Sequence, residues 1–270
     1  MAPELFYRKD LYRGTAPYYD RYRPPYPDAL LDDLRRRLPL TGRGKLLDLA
    51  CGTGQIAVPL APHFAAVWAV DQEEDMVVYG RSKAEVKGVG NITWLAAGAE
   101  QVDLEGGFEL ITIGNAFHRL NREVVASHAY SWLLPGAALG LLWGGGPLDG
   151  EHAWQRLTAQ LLDEWMRRRA ATDRVPVGWE AAMDRHPHAE ILGQAGFDYL
   201  GRFEFPLLQT WTIESLLGYL YSTSFLNREV LGTKSAVFEQ ELTDLVLSCA
   251  PDGVLQQSTS FAYELARKPA

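Results

Sequence analysis

The chain has 270 residues, 47% of them hydrophobic, with eight Trp and twelve Tyr. That is enough apolar material for one substantial core, and it excludes a disordered chain. A net charge of −8 argues against a nucleic-acid binder, which needs a basic face, and no stretch approaches the ~20 apolar residues of a membrane span.

Residues 1–27 are rich in Tyr, Arg and Pro (RGTAPYYDRYRPPYP) and read as an arm. Asp28 is placed to cap a helix through ALLDDLRRRL, which Pro39 stops. KLLDLA at 45–50 reads as a strand, followed by a helix from about Gln55. AAVWAVD at 65–71 is the second strand, with a helix near 75–87. ITWLAA at 92–97 and FELITIG at 108–114 are the next two, then a helix near 121–133 and a fifth strand, ALGLLWG, at 138–144. Runs that are apolar on both faces and separated by helices predict a parallel sheet covered on both sides. After GGGPLDG the rhythm changes. Residues 151–190 read as helices rich in Trp and Arg, and FDYLGRFEFP resumes as a strand. TIESLLGYL and SAVFEQELTDLVLSC are amphipathic helices, and QSTSFAYELARK closes as an alternating strand. The division this predicts is an arm and first helix at 1–40 acting as a lid and an α/β core at 41–149. A helical cap insertion at 150–197 and a completion of the sheet with further cap helices at 198–270 follow. The two cysteines, Cys51 and Cys249, make no disulfide framework. The stretch MAPELFYRKDLYR lacks a secretion signal, so a reduced, cytoplasmic setting is expected.

The glycine loop after the first strand carries the functional signal. Gly52-Thr-Gly54-Gln-Ile-Ala57 fits G-x-G-x-x-[GA], and Asp71 follows about 20 residues on, at the end of the second strand. Glycines let the backbone approach a ligand, a helix start favours an anion, and the acid takes a ribose hydroxyl pair. Asp48, four residues before Gly52, repels a pyrophosphate and suits a ligand with an ammonium group. Its alternative reading is a brace for the loop.

The segment resembles motif I of the class I S-adenosylmethionine-dependent methyltransferases, read as Asp48-Leu-Ala50-Cys-Gly52-Thr-Gly54, with Ala50 where that family often has its first glycine. VDQEEDM is similar to the next motif, with Asp71 on the ribose, Gln72 beside it and Met76 on the adenine. AAGAEQV resembles the loop that brackets the adenine, through Ala99 and Glu100, with Gly98 in place of the usual Asp. IGNAFHRL, containing Asn115, resembles the segment after the fourth strand, with Arg119 and Asn121 in place of Trp and Asp. YYDRYRPPYP resembles the arm of the same group. Within it the resemblance runs to actinomycete small-molecule methyltransferases of antibiotic pathways, including lincosamide N-methylation. It implies a Rossmann-like α/β fold, a mostly parallel seven-stranded sheet with its last strand antiparallel, and a helical cap.

The activity it implies is methyl transfer from S-adenosyl-L-methionine to a small-molecule acceptor, leaning to an amine nitrogen, with O-methylation as the alternative. Cofactor contacts are then expected from Tyr19, Arg23, Asp48, Ala50, Gly52, Gly54, Gln55, Asp71, Gln72, Met76, Ala99, Glu100 and Asn115, with Arg23 on the methionine carboxylate. Aromatic faces suit a sulfonium, so Tyr18, Tyr19 and Phe117 are expected to wall the methyl group. His118 is the candidate general base, with His186 second; an amine acceptor can dispense with a base. No metal spacing occurs, and neither nucleic acid nor membrane is expected as a partner. The aromatic arm offers a surface for a homo-oligomer. Two rivals stay open: a nicotinamide-dependent oxidoreductase using the same loop, and a scaffold that binds the cofactor without turnover.

Overall fold

The computed structural model describes residues 11–148, 150, 152–175 and 184–270. The apolar runs form five parallel strands: β1 (Lys45–Leu49), β2 (Ala66–Asp71), β3 (Ile92–Ala96), β4 (Phe108–Gly114) and β5 (Leu133–Trp143). Leu46 and Leu47 of β1 face opposite sides of the sheet and are both fully buried. A strand covered on both faces therefore has no polar stripe, which is why it shows no alternation. β5 begins five residues before the run that announced it, with a register shift against β4 between Phe108 and Leu110.

The remaining strands are β6 (Asp198–Thr212) and β7 (Val254–Arg267), and the sheet order is β3-β2-β1-β4-β5-β7-β6. β7 is antiparallel to both neighbours, as the resemblance implies. Only residues 262–267 of β7 pair with β5. Residues 254–261 pair with β6 alone and carry a two-stranded ribbon roughly 25 Å past the carboxyl edge, at ~3.3 Å per residue.

The helices sort by layer. α1 (Ala16–Tyr22) belongs to the arm. α2 (Asp28–Arg36) buries Leu30, Leu31 and Leu34 against the sheet. Asp28 is its first helical residue and not its cap, so it acts only through its charge at the helix start. α3 (Ala57–Leu60) is a single turn that passes into a tight 3₁₀ turn containing Pro62, and so is shorter than the pattern suggested. α4 (Glu74–Val86) follows β2, and Gly80 lets it approach the loop. A Cβ there would lie 2.5 Å from the Trp94 ring and 3.2 Å from the Thr53 backbone. α5 (Arg122–Trp132) is capped by Asn121, whose side chain accepts from Val124 N–H.

Past β5 the chain builds a second core over the edge. α6 (Ala153–Arg168) packs there with three later helices, α8 (Ile213–Tyr221), α9 (Arg228–Leu231) and α10 (Ser235–Cys249). Trp154, Leu162, Trp165, Leu216, Phe238 and Leu242 meet Trp211 and Leu255 from the ribbon. Between α6 and α8 lies α7 (His188–Gln194), which returns to the sheet face, where Ile191 and Leu192 pack with Val125 and Ala129. The stretch read as one cap insertion, 150–197, thus supplies both layers. Among the described residues no helix is long and apolar enough to cross a membrane.

Candidate functional site

The strand order reverses between β1 and β4, and in open α/β sheets that crevice is where ligands bind. A cavity of about 700 Å³ lies there, lined by Ala50 and Gly52 after β1, Asp71, Gln72 and Met76 after β2, Ala99 and Glu100 after β3, and Asn115 and His118 after β4. The loop reaches it through left-handed backbone: Ala50 has φ +52° and Gly52 +54°. Asn115 also has positive φ (+50°) and is pinned by its side chain, which accepts from Gly144 N–H at 2.9 Å.

Two carboxyl groups hold the loop. Asp71 accepts from Gly52 N–H at 2.8 Å and from Glu73 N–H at 2.9 Å. Burial raises its pKa while those N–H groups oppose the rise. Asp48 lies behind the loop, accepting from Ala57 N–H at 3.0 Å and from the Thr112 hydroxyl at 2.8 Å. It is 1% exposed and lines neither cavity. Burial raises it to about 7. Its geometry is that of the brace and not of a group facing a ligand.

A second cavity of about 1180 Å³ opens beside the first, walled by the cap, the ribbon and residues 144–146. Tyr12, Tyr19, Asn115, His118 and Arg119 line both and mark the junction. Tyr19 lies over the loop, 3.4 Å from where a Cβ on Gly52 would be, and burial raises its hydroxyl to about 12, against the pull of Arg23. Arg23 lines only the larger cavity. It donates to the Ser222 hydroxyl (2.8 Å), the Tyr219 hydroxyl (3.2 Å) and the Ser222 carbonyl (3.3 Å), and its guanidinium stacks on Tyr19 and Tyr219.

Several expected residues are elsewhere. Gly54 and Gln55 line neither cavity. Gly54 abuts Trp94, and the Gln55 amide reaches the Tyr19 carbonyl at 3.5 Å. Phe117 is fully buried in the core under β4, edge-on to His188 at 5.2 Å, and cannot wall a methyl group. Tyr18 turns the other way, onto Tyr22 and Tyr221 of the cap. The aromatic wall at the junction is instead Tyr12 with Tyr19, edge to face at 6.4 Å. Tyr12 escaped the sequence reading because a turn, Thr15 N–H to Tyr12 carbonyl, and no periodic element places it. His118 reaches both cavities, but burial, reinforced by Arg119, His188 and Arg122, holds it down at about 3. A neutral imidazole that resists protonation this strongly is a poor proton acceptor. His186 borders the smaller cavity, where its carbonyl accepts from Arg122.

Among the described residues no cluster of three His, Cys, Asp or Glu could hold a metal ion. Residues 46–136 match a family model described as a methyltransferase domain. A malonyl-[acyl-carrier protein] O-methyltransferase from Bacillus cereus is 30% identical over 115 residues, 41% of this chain and 42% of that protein. An uncharacterized methyltransferase from Schizosaccharomyces pombe is 24% identical over 212 residues, 78% of this chain and 77% of that protein. The chain spans about two-fifths or less of the length of the first curated relatives it matches. Among solved structures, a candidate type II methyltransferase from Anaeromyxobacter dehalogenans aligns with TM-score 0.59 at 21% identity, covering 91% of this chain and 97% of that one. The [4+2]-cyclase SpnF aligns with TM-score 0.53 at 18% identity, covering 89% and 80%. These likenesses establish a Rossmann-like methyltransferase fold, and the cyclase is a reminder that the fold does not fix the reaction.

Proposed function

We propose that the chain is an S-adenosylmethionine-dependent methyltransferase acting on a small molecule. One observation carries the reading: the donors a pyrophosphate would use are already taken. Asp71 occupies Gly52 N–H and Asp48 occupies Ala57 N–H at the start of α3. A dinucleotide would have to displace two buried carboxyl groups from the loop that normally cradles its phosphates. A nucleoside without a phosphate meets no such obstacle, which disfavours the nicotinamide rival.

The residues present fit the adenosyl group. Asp71 keeps acceptor capacity beside its two N–H partners, since a carboxylate offers about four lone-pair sites, and so can take a ribose hydroxyl pair. Met76 and Ala99 give the cavity apolar faces for a purine, with Gln72, Glu100 and Asn115 at its polar edge. The Arg23 guanidinium is half-buried on the wall of the larger cavity, and the groups it donates to, Ser222 and Tyr219, are neutral. A partly desolvated cation facing neutral partners favours a ligand carboxylate.

When bound, the cofactor supplies an electrophilic methyl group on a sulfonium. Tyr12 and Tyr19 line the junction of the two cavities, and aromatic rings suit a cation without hydrogen-bond donors, with Arg119 and Arg23 already over one face of each ring. The cap and ribbon wall the larger cavity, where they would hold an acceptor in line with the methyl group. A cavity of about 1180 Å³ joined to the smaller one supports a small-molecule acceptor. An amine nitrogen of an antibiotic-pathway metabolite is the acceptor the sequence resemblance implies, with O-methylation the alternative. The thiols of Cys51, buried, and Cys249, exposed, are both free, which supports a reducing, cytoplasmic setting.

Calorimetry with S-adenosylhomocysteine and NAD tests the reading. Binding of the first and not the second is expected, and Asp71→Ala should weaken it by one to two charged hydrogen bonds, each ~1.5–3 kcal/mol. Binding of NAD alone would overturn the proposal. Binding of the homocysteine nucleoside without labelled-methyl transfer to any metabolite would favour the scaffold.

A further inference from the structure

The larger cavity has a polar wall that the cofactor reading does not use. His188, 6% exposed at the start of α7, stacks on Trp143 with ring centroids 5.0 Å apart and planes within 2°. Its Nδ1 lies 3.4 Å from Glu264, a β7 residue 9% exposed. A carboxylate can only accept, so the neutral ring that fits this contact carries its proton on Nδ1 and leaves Nε2 as an acceptor. Neither His188 Nε2 nor the Trp143 indole N–H has a hydrogen-bond partner among the described residues; both atoms are buried, and both residues line the cavity. A buried polar atom without a partner costs about 1–3 kcal/mol, so two on one wall, one acceptor and one donor, call for a ligand that supplies both complements. The wall continues to the junction, because Trp143 lies against His118 at 6.1 Å.

We propose that the acceptor presents a hydroxyl to this wall, with His188 as its proton acceptor and Glu264 as the residue that positions His188. The proposal rests on the methyl-transfer reading and names its substrate class, an alcohol or phenol in place of the amine. The argument is one of electron pairs. A hydroxyl can donate to Nε2, accept from the indole N–H with one lone pair, and still offer its second pair to the methyl group. A neutral amine has one pair and cannot both accept and attack. In the step, the hydroxyl proton passes to His188 Nε2 and the oxygen forms the new C–O bond. The pair from the broken C–S bond stays on sulfur, leaving a methyl ether, a neutral thioether and an imidazolium beside Glu264. That proton then leaves to solvent.

The test reads the rings directly. ¹⁵N spectra of the histidine and tryptophan side chains are recorded on the full chain, with and without S-adenosylhomocysteine, in the presence of phenol, benzylamine or toluene. The expected result is an Nδ1–H tautomer for His188 at neutral pH, and shifts at both His188 Nε2 and Trp143 Nε1 on adding phenol but not toluene. Glu264→Gln should return His188 to a mixture of tautomers without changing the Trp143 signal. Shifts with benzylamine and not phenol would overturn the hydroxyl class. No response to any probe, as for a nitrogen holding a fixed water, would overturn the wall as a binding surface. An unchanged tautomer in Glu264→Gln would remove Glu264 from the proposal. Failure of S-adenosylhomocysteine to bind, with the phenol response intact, would count against the methyl-transfer reading alone.

Discussion

Asp48→Asn isolates the group that fills the anion site under the glycine loop. Burial moves this carboxyl from 3.8 to about 7, so its ionised form is disfavoured in the folded chain relative to the unfolded one by about 4 kcal/mol, at 1.36 kcal/mol per pKa unit. An acid raised on folding contributes stability that is present below its unfolded pKa and is lost as pH rises through its folded pKa. The window is therefore about pH 4 to 7. Asparagine mimics the protonated acid: its amide oxygen can accept from Ala57 N–H and its NH₂ can donate to the Thr112 hydroxyl, the two partners seen here. Below about pH 4 the variant and the parent should differ by less than ~1 kcal/mol, and by pH 8 the variant should be more stable by up to about 4 kcal/mol. Urea unfolding at both pH values measures this, and the difference between the chains cancels Asp71, which burial also raises. A gap that does not change with pH would show that Asp48 does not titrate in this window. A variant less stable than the parent at pH 8 would show that the charge at the helix start stabilises more than burial costs.

Arg23→Met should weaken S-adenosylhomocysteine roughly 10–100-fold, the loss of a charge-assisted pair of ~1.5–3 kcal/mol, while 5′-methylthioadenosine, which has no carboxylate, binds as before in calorimetry; equal losses would tie Arg23 only to the arm. Histidine NMR should find His118 neutral throughout the range near pH 5–8, because its pKa is depressed to about 3; titration near the ordinary value would restore it as a base. Gly80→Ala should destabilise by ~1–3 kcal/mol through overpacking, since its Cβ would meet Trp94 at 2.5 Å. Trp94→Phe, which removes the ring atoms in the way, should recover part of that in a double-mutant cycle.

The parallel strands were legible as apolar runs, most plainly β1 and β4, which are covered on both faces, and least so β3, an edge strand that leaves Thr93 exposed. The ribbon was read short. Residues 207–212 and 254–256 lack the strong apolar signal of a buried strand, since they leave the sheet and face the cap. Helical periodicity shows that α6 and α7 each have a buried face but not which layer takes it, so the split of 150–197 was out of reach. Motif position failed in a similar way at Phe117 and His118. They are neighbours in the chain, yet one is sealed in the core and the other lies on both cavities. Asp48 could be found as an acid in an apolar strand, but its partners Ala57 and Thr112 come from two other elements. His188 carried no signal at all. What distinguishes it is Glu264, in a strand 76 residues away.

That distance explains why motifs inform only half of this site. Most of the residues that resemble a known pattern lie on or beside the loops after β1 to β4, and those loops, with Tyr12 and Tyr19 of the arm, line the smaller cavity. The larger cavity draws its walls from α7, α8 and the ribbon, which come from parts of the chain outside the matched segment 46–136. The walls of the larger cavity can therefore vary in sequence while the loops after β1 to β4 stay fixed. The arm joins the halves, reaching the core through Gly14 to Asp75 and the cap through Arg23 to Ser222. As proposed, Trp143, His188 and Glu264 select the acceptor, and they come together only once β7 has paired with β5 and α7 has packed on the sheet face.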